Sequence, residues 1–154
     1  MTVRVVFVCL GNICRSPMAE GVFRHLVKEA GLQDRIEVDS CGTGGWHVGE
    51  APHRGTQLIL RQHGIDYQHR ARQISRRDLR EASYLIAMDM ENLEAIRRLG
   101  PTDAEVGLLL DYAEGLTVRE VPDPYYDGRF EEVYRLVEAG ARGLLKHIRE
   151  QERL

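Results

Sequence analysis

Runs of β-branched and large apolar residues alternate with helix-period segments along this sequence, and that alternation limits the possible folds more than any other feature. Val3-Arg4-Val5-Val6-Phe7-Val8 opens the series as a buried strand over 3–8. Residues 17–30 follow at helical spacing (Met18, Val22, Leu26, Ala30), with Pro17 suited to the first helical position and Gly31 to the stop. A second strand is expected over Ile36–Asp39, a glycine-rich loop over Cys41–Pro52, and a helix over Thr56–His63 ended by Gly64. Ser83–Ala87 reads as the third strand, and Met90–Leu99 as a helix stopped by Gly100-Pro101. Val106–Leu110 reads as the fourth strand, residues 111–129 mostly as loop, and Phe130–Arg149 as a long final helix with Val133, Val137, Ala141, Leu144 and Ile148 on one face.

The order βαβαβαβα predicts an α/β fold of three layers: a four-stranded parallel sheet with helices on both faces. With 154 residues, no repeat and no linker, the chain is expected to form one domain over 1–154. Ligands in such folds sit at the carboxyl ends of the strands, so the segment after strand one is the first place to look.

Composition narrows the function. Twenty-one basic residues against 24 acidic ones give a net charge of −3, too mild for a nucleic-acid or membrane-surface protein. No apolar run approaches the ~18 residues of a membrane span. The N-terminus reads as a strand rather than a cleavable leader, so a cytoplasmic protein is expected. The three cysteines, Cys9, Cys14 and Cys41, make no disulfide framework, and neither C-x-x-C nor a zinc-spaced histidine pair occurs.

The segment after strand one is Cys9-Leu10-Gly11-Asn12-Ile13-Cys14-Arg15-Ser16-Pro17. A loop of this length closing onto a helix N-terminus can turn successive N–H groups toward one centre and bind an anion there. Gly11 and Asn12 are the residues best able to take positive φ. Arg15 offers a planar fork matched to two phosphoryl oxygens. A thiol at Cys9 in that positive field favours its thiolate, and a thiolate beneath a phosphate is a nucleophile aimed at phosphorus. A cysteine after a strand is most often just a small buried hydrophobe, and Cys-x5-Arg-Ser alone is only moderately specific. Its position between a strand and a helix is what the chemistry requires. The segment is not a Walker loop, since no lysine is near; Gly42-Thr43-Gly44-Gly45 lacks dinucleotide spacing and reads as a loop that needs small residues.

Pro122-Asp123-Pro124-Tyr125-Tyr126 is the second constellation. Two prolines stiffen the backbone around one carboxyl group, which can protonate the oxygen that leaves when a phosphate ester is cleaved. The loop follows strand four and can fold over the same sheet end as Cys9. Tyr125 and Tyr126 read either as packing aromatics or as a wall of a slot for a flat leaving group.

Together, V-C-L-G-N-I-C-R-S-P, D-S-C-G-T-G-G-W-H-V-G, H-R-A-R-Q, M-D-x-x-N and D-P-Y-Y resemble the low-molecular-weight protein tyrosine phosphatases, block by block and in order over nearly the whole chain. The resemblance implies a phosphate-binding loop after strand 1 and a two-step hydrolysis of phosphotyrosine and aryl phosphates, with no metal and no cofactor. It implies that Cys9 becomes a phosphocysteine, that Arg15 holds the phosphoryl oxygens, and that Ser16 hydrogen-bonds the Cys9 sulfur. Asp123 is implied as acid and then base. Leu10, Gly11, Asn12, Ile13 and Cys14 are implied as the substrate-binding loop, with Trp46, Tyr125 and Tyr126 as slot walls. Ser40 and His69 are implied as supports of Asn12, and Asp89 and Asn92 as scaffold. Cys14 is implied as a reversible disulfide partner of Cys9. Cys41 stands where the family usually has alanine and leaves that pairing open between Cys14 and Cys41.

The implied partners are a phosphotyrosine protein and an oxyanion in the loop, without nucleic acid or membrane, the chain acting as a monomer or weak dimer. Arsenate reduction on a similar loop would need resolving cysteines downstream, and none follows Cys41. A phospho-residue binding module could dispense with both Cys9 and Asp123, and a phosphocysteine carrier would need no general acid.

Overall fold

A computed structural model describes residues 2–154. Four strands, β1 (Val3–Cys9), β2 (Ile36–Gly42), β3 (Tyr84–Ala87) and β4 (Glu105–Leu108), form one parallel sheet in the order β2-β1-β3-β4. Five helices accompany them: α1 (Arg15–Glu29), α2 (Arg54–Gln62), α3 (Arg76–Glu81), α4 (Met90–Leu99) and α5 (Phe130–Glu152). The expected α/β architecture is present.

Strand β1 is central, its edges hydrogen-bonded to β2 and β3 and both its faces buried beneath helices. Alternation along it separates two cores. Val5, Phe7 and Cys9 face the larger one, with residues of α1, α2 and α5; Val6 and Val8 face the other, with residues of α3 and α4. Cys41 lies in this second core, on the opposite face of the sheet from Cys9. The chain leaves β1 toward β2 on one side, while β3 pairs on the other. The crevice beyond the carboxyl ends of β1 and β3 is therefore the switch point of the sheet.

Several expected boundaries move, each for a local reason. Strand β2 runs three residues beyond Asp39, because Ser40, Cys41 and Gly42 continue the ladder opposite Phe7, Val8 and Cys9; the glycine-rich loop therefore begins at Thr43 rather than Cys41. Helix α1 starts at Arg15, so Pro17 is its third residue, still within the first turn, where backbone N–H groups have no intrahelical acceptor. Helix α3 was not expected; Ser75 and Asp78 cap it reciprocally, a signal present in the sequence but attached to a segment with little apolar periodicity. Strand β4 stops at Leu108, and Leu109–Tyr112 turns as a short 3₁₀ helix that carries Leu109 and Leu110 into the core beneath α5. Helix α5 continues three residues past Arg149.

Helix α5 lies so close to the 3₁₀ turn that a Cβ at Gly143 would stand 1.8 Å from the Tyr112 carbonyl oxygen. Glycine to alanine inside a helix ordinarily stabilises by about 1 kcal/mol. Here Gly143→Ala is expected to destabilise by at least about 2 kcal/mol in urea unfolding, because backbone must move; a neutral or stabilising result would show that α5 does not approach the turn this closely.

Candidate active site

The chain between Cys9 and Arg15 folds into a cup, and the loop after β2 together with the start of α2 holds it open by taking its carbonyls outward. Thr43 and Gly44 donate their N–H groups to the carbonyls of Cys9 and Leu10 at 2.8 and 2.9 Å, and His53 N–H donates to the carbonyl of Ile13 at 2.7 Å. Thr56 Oγ1 donates to the Cys14 carbonyl at 3.1 Å. The N–H groups of Gly11, Ile13 and Cys14 have no acceptor among the described residues and remain available to a ligand. The Asn12 N–H lies 3.3 Å from Cys9 Sγ. Gly42 lets the cup lie against β2, since a Cβ there would stand 2.8 Å from the Leu10 carbonyl oxygen.

Asn12 turns the cup at φ 57°, a left-handed conformation that costs a non-glycine residue on the order of 1 kcal/mol or more. Its buried amide offsets that cost by using its full hydrogen-bonding capacity. Nδ2 donates to Ser16 Oγ at 2.8 Å and Ser40 Oγ at 3.0 Å, while Oδ1 accepts from His69 Nε2 at 2.8 Å and Arg72 N–H at 3.0 Å. Since Oδ1 only accepts, Nε2 is the protonated nitrogen of His69. Behind this layer Ser40 and Tyr67 hydroxyls donate to the buried Glu20 carboxylate, each at 2.7 Å, and Arg24 pairs with it from outside. Glu20, Asp39 and His69 converge closely, but the two carboxylates already serve Arg24 and the pair Arg4 and Arg72.

Ser16 Oγ, having accepted from Asn12, faces Cys9 Sγ at 3.0 Å and directs its own hydrogen toward the sulfur when that sulfur is a thiolate. Burial, then the charges of Cys9 and Asp123, pushes the Cys14 pKa up to about 12. Burial also raises that of Cys41 well above the ordinary thiol value.

Arg15 is almost fully buried, and two partners orient its guanidinium. Nη1 donates to Asp89 Oδ2 at 2.6 Å and to the Val121 carbonyl at 3.0 Å, while Nη2 lies 3.7 Å from Asp123 Oδ2. Burial opposes its charge, yet Cys9, Asp89 and Asp123 outweigh burial and raise its pKa. Asp89 follows β3 and caps α4, its other oxygen accepting the Asn92 N–H at 2.8 Å. The switch point thus delivers the carboxylate from β3 to the arginine that follows β1. Asp123 is held in its loop by the Tyr125 N–H, which donates to Oδ1 at 3.1 Å.

A cavity of about 420 Å³ opens over the cup. Cys9, Leu10, Gly11, Ile13, Cys14 and Arg15 form its inner lining, and Trp46, His47, Asp123, Tyr125 and Tyr126 surround its mouth. Trp46 and Tyr126 are the most exposed large side chains there, at 72% and 83%.

A family model described as "Low molecular weight phosphotyrosine protein phosphatase" matches residues 4–154. The chain belongs to that family. It is 48% identical over 155 residues to the low molecular weight protein-tyrosine-phosphatase YfkJ of Bacillus subtilis, covering 99% of both chains. The crystal structure of YfkJ superposes with a TM-score of 0.95, over 98% of this chain and 97% of that one. A low molecular weight protein-tyrosine-phosphatase of Streptomyces coelicolor is 49% identical over 158 residues, covering 98% of this chain and 96% of the relative. The crystal structure titled DARP, drosophila arginine phosphatase, is 35% identical with a TM-score of 0.88, over 93% of this chain and 96% of that one.

In this phosphatase the expected site residues converge, with refinements. Asn12 does not line the cavity but lies behind it, in the same layer as Ser16, Ser40 and His69. Asp89, expected as scaffold, touches Arg15 directly. His47, Glu20, Tyr67 and Arg72 were not expected. His47 packs against the cup, its ring carbon 3.0 Å from where a Gly11 Cβ would be, and Nδ1 lies 3.0 Å from Glu50. The W-H dipeptide is the available signal for His47 and the H-R-A-R-Q block for Arg72; nothing local marks Glu20 or Tyr67.

Gly42→Ala is expected to deform the cup while leaving the fold intact. Inhibition by vanadate, a phosphate-like oxyanion, should weaken on the order of tenfold at unchanged circular dichroism. Unchanged inhibition would show that the cup tolerates displacement from β2.

Proposed function

We propose that residues 1–154 act as one phosphatase domain that hydrolyses phosphotyrosine through a phosphocysteine on Cys9. The observation that carries the assignment is the position of the Cys9 sulfur. It lies in the lining of the cavity, within reach of the Asn12 N–H and the Ser16 hydroxyl, with Arg15 and Asp123 lining the same space. The cup N–H groups and the free edge of the Arg15 guanidinium bind the phosphoryl oxygens and follow them into the transition state. Cys9 attacks phosphorus as the phenolic oxygen leaves with a proton from Asp123. In the second step Asp123 takes a proton from the attacking water, and the Ser16 hydroxyl stabilises the departing thiolate.

Asn12, Ser40 and His69 hold the cup in shape, and Asp89 holds Arg15. Trp46, Tyr125, Tyr126 and Ile13 bound the slot, whose aromatic walls suit a flat phenyl leaving group. These residues all come from one chain, so a monomer suffices for chemistry. The chemistry proposed calls on no cofactor. Among the described residues no helix is long and apolar enough to cross a membrane. A reducing cytoplasm suits a nucleophile that works as a thiolate.

Four measurements test these roles. Cys9→Ser is expected to abolish turnover of phenyl phosphate while retaining phosphate binding. Asp123→Asn should slow phenyl phosphate on the order of a hundredfold or more, but slow an ester with an activated leaving group far less, since that group hardly needs the proton. Phosphotyrosine should outpace phosphoarginine; the opposite order would favour the activity in the Drosophila relative's title. Activity should survive EDTA, and loss under chelation would contradict the mechanism.

Oxidation supplies a further test. Peroxide converts the Cys9 thiolate to a sulfenic acid, and Cys14, which lines the same cavity, condenses with it to a disulfide and releases water. Peptide mapping should recover Cys9 joined to Cys14, with Cys41 free on the far face. Recovery of Cys9 joined to Cys41 would overturn the pairing.

A further inference from the structure

We propose that this phosphatase selects phosphotyrosyl segments that carry lysine or arginine beside the phosphotyrosine, and that Glu91 and Glu120 recognise them. The inference rests on the phosphotyrosine reading above and extends it to the residues flanking the reacting one.

A polypeptide whose phosphate lies in the cup must leave the mouth across its rim. A second cavity, of about 820 Å³, adjoins the first and shares Leu10, Arg15, Asp123 and Tyr126 with it. It runs between the start of α4, the loop that precedes Asp123 and the first turns of α5. Five carboxylates line it and only two guanidinium groups, and both of those are already engaged. Arg15 is held by Asp89 and Asp123, and Arg119 is gripped through two nitrogens by Asp111 at 2.9 and 3.0 Å. Glu132 shares its charge with Arg129 at 3.2 Å.

Two carboxylates are left without a cation among the described residues. Glu91 is exposed and makes no ion pair; Glu120 is exposed, accepts the Met90 N–H at 2.8 Å and is in no ion pair. Val118 and Leu136 give the groove apolar surface for the methylene stem of a lysine or arginine whose head reaches these carboxylates. The opposite rim differs: Trp46 and His47 form it, and the nearby Glu50 carboxylate is tied to His47. The mouth is therefore electrostatically one-sided, and a cationic segment is drawn to the groove side.

The test compares kcat/KM for three phosphotyrosyl peptides of equal length whose flanking residues are lysine, alanine or glutamate. Each rate is divided by the same protein's turnover of phenyl phosphate, which is too small to reach the groove. At low ionic strength the wild type should prefer lysine over alanine over glutamate, with a total span on the order of tenfold. The span should shrink in ~0.5 M salt, where exposed charges are screened. Glu91→Gln alone should narrow it, and Glu91→Lys combined with Glu120→Gln should flatten or invert it. A wild type that is indifferent or prefers glutamate, or variants that keep the lysine preference, would overturn the proposal. A protein that turns over phenyl phosphate but none of the three peptides would instead overturn the phosphotyrosine reading.

Discussion

Backbone N–H groups do not collect around a point unless something turns the intervening carbonyls away, and in this protein that condition shapes everything else at the site. The carbonyls of Cys9, Leu10, Ile13 and Cys14 are each taken by a donor outside the cup. The donors come from the loop after β2, from the N-cap of α2 and from α2 itself. Asn12 supplies the turn that ordinary residues resist, and its amide anchors the turn to four partners. The cup is therefore organised before any ligand arrives, and no backbone reorganisation is required as charge moves in the transition state.

Environment, rather than residue type, divides the labour among three cysteines. Cys9 ends a strand where an N–H, a hydroxyl and a guanidinium converge. Cys14 is desolvated and faces negative charge, which raises its pKa. Cys41 is packed among Val6, Val8 and Leu85 on the other face of the sheet and contributes volume. Arg15 shows the same logic: a buried guanidinium is tolerable because Asp89 and Val121 fix one nitrogen and Asp123 faces the other.

The fold and the segment that closes into the cup are legible in the sequence because their signals are local. Alternating apolar periods announced the βα order, and a thiol, an arginine and a serine lay within eight consecutive residues after a strand. What was not readable depends on contacts between distant segments. Asp89 meets Arg15 only because β3 lies beside β1, and 74 residues separate the two. Glu20 looks like a helix surface charge until Ser40 and Tyr67 are found upon it. The sequence does not reveal helix α3, because a six-residue helix carries little periodicity, and it understates β2, because Ser-Cys-Gly does not look like strand until β1 pairs with it. The Asn12 amide holds the cup from behind through segments as distant as Ser40, His69 and Arg72.

Trapping the reaction intermediate tests the central claim most directly. The protein is mixed with a fast aryl phosphate, quenched in acid within its turnover time, digested and mapped by mass spectrometry. The account predicts one phosphoryl group, bonded to sulfur on the peptide that contains Cys9, at an occupancy that rises when the second step is slowed by Ser16→Ala. Phosphate on any other residue, or none at any quench time with that variant while turnover continues, would contradict it.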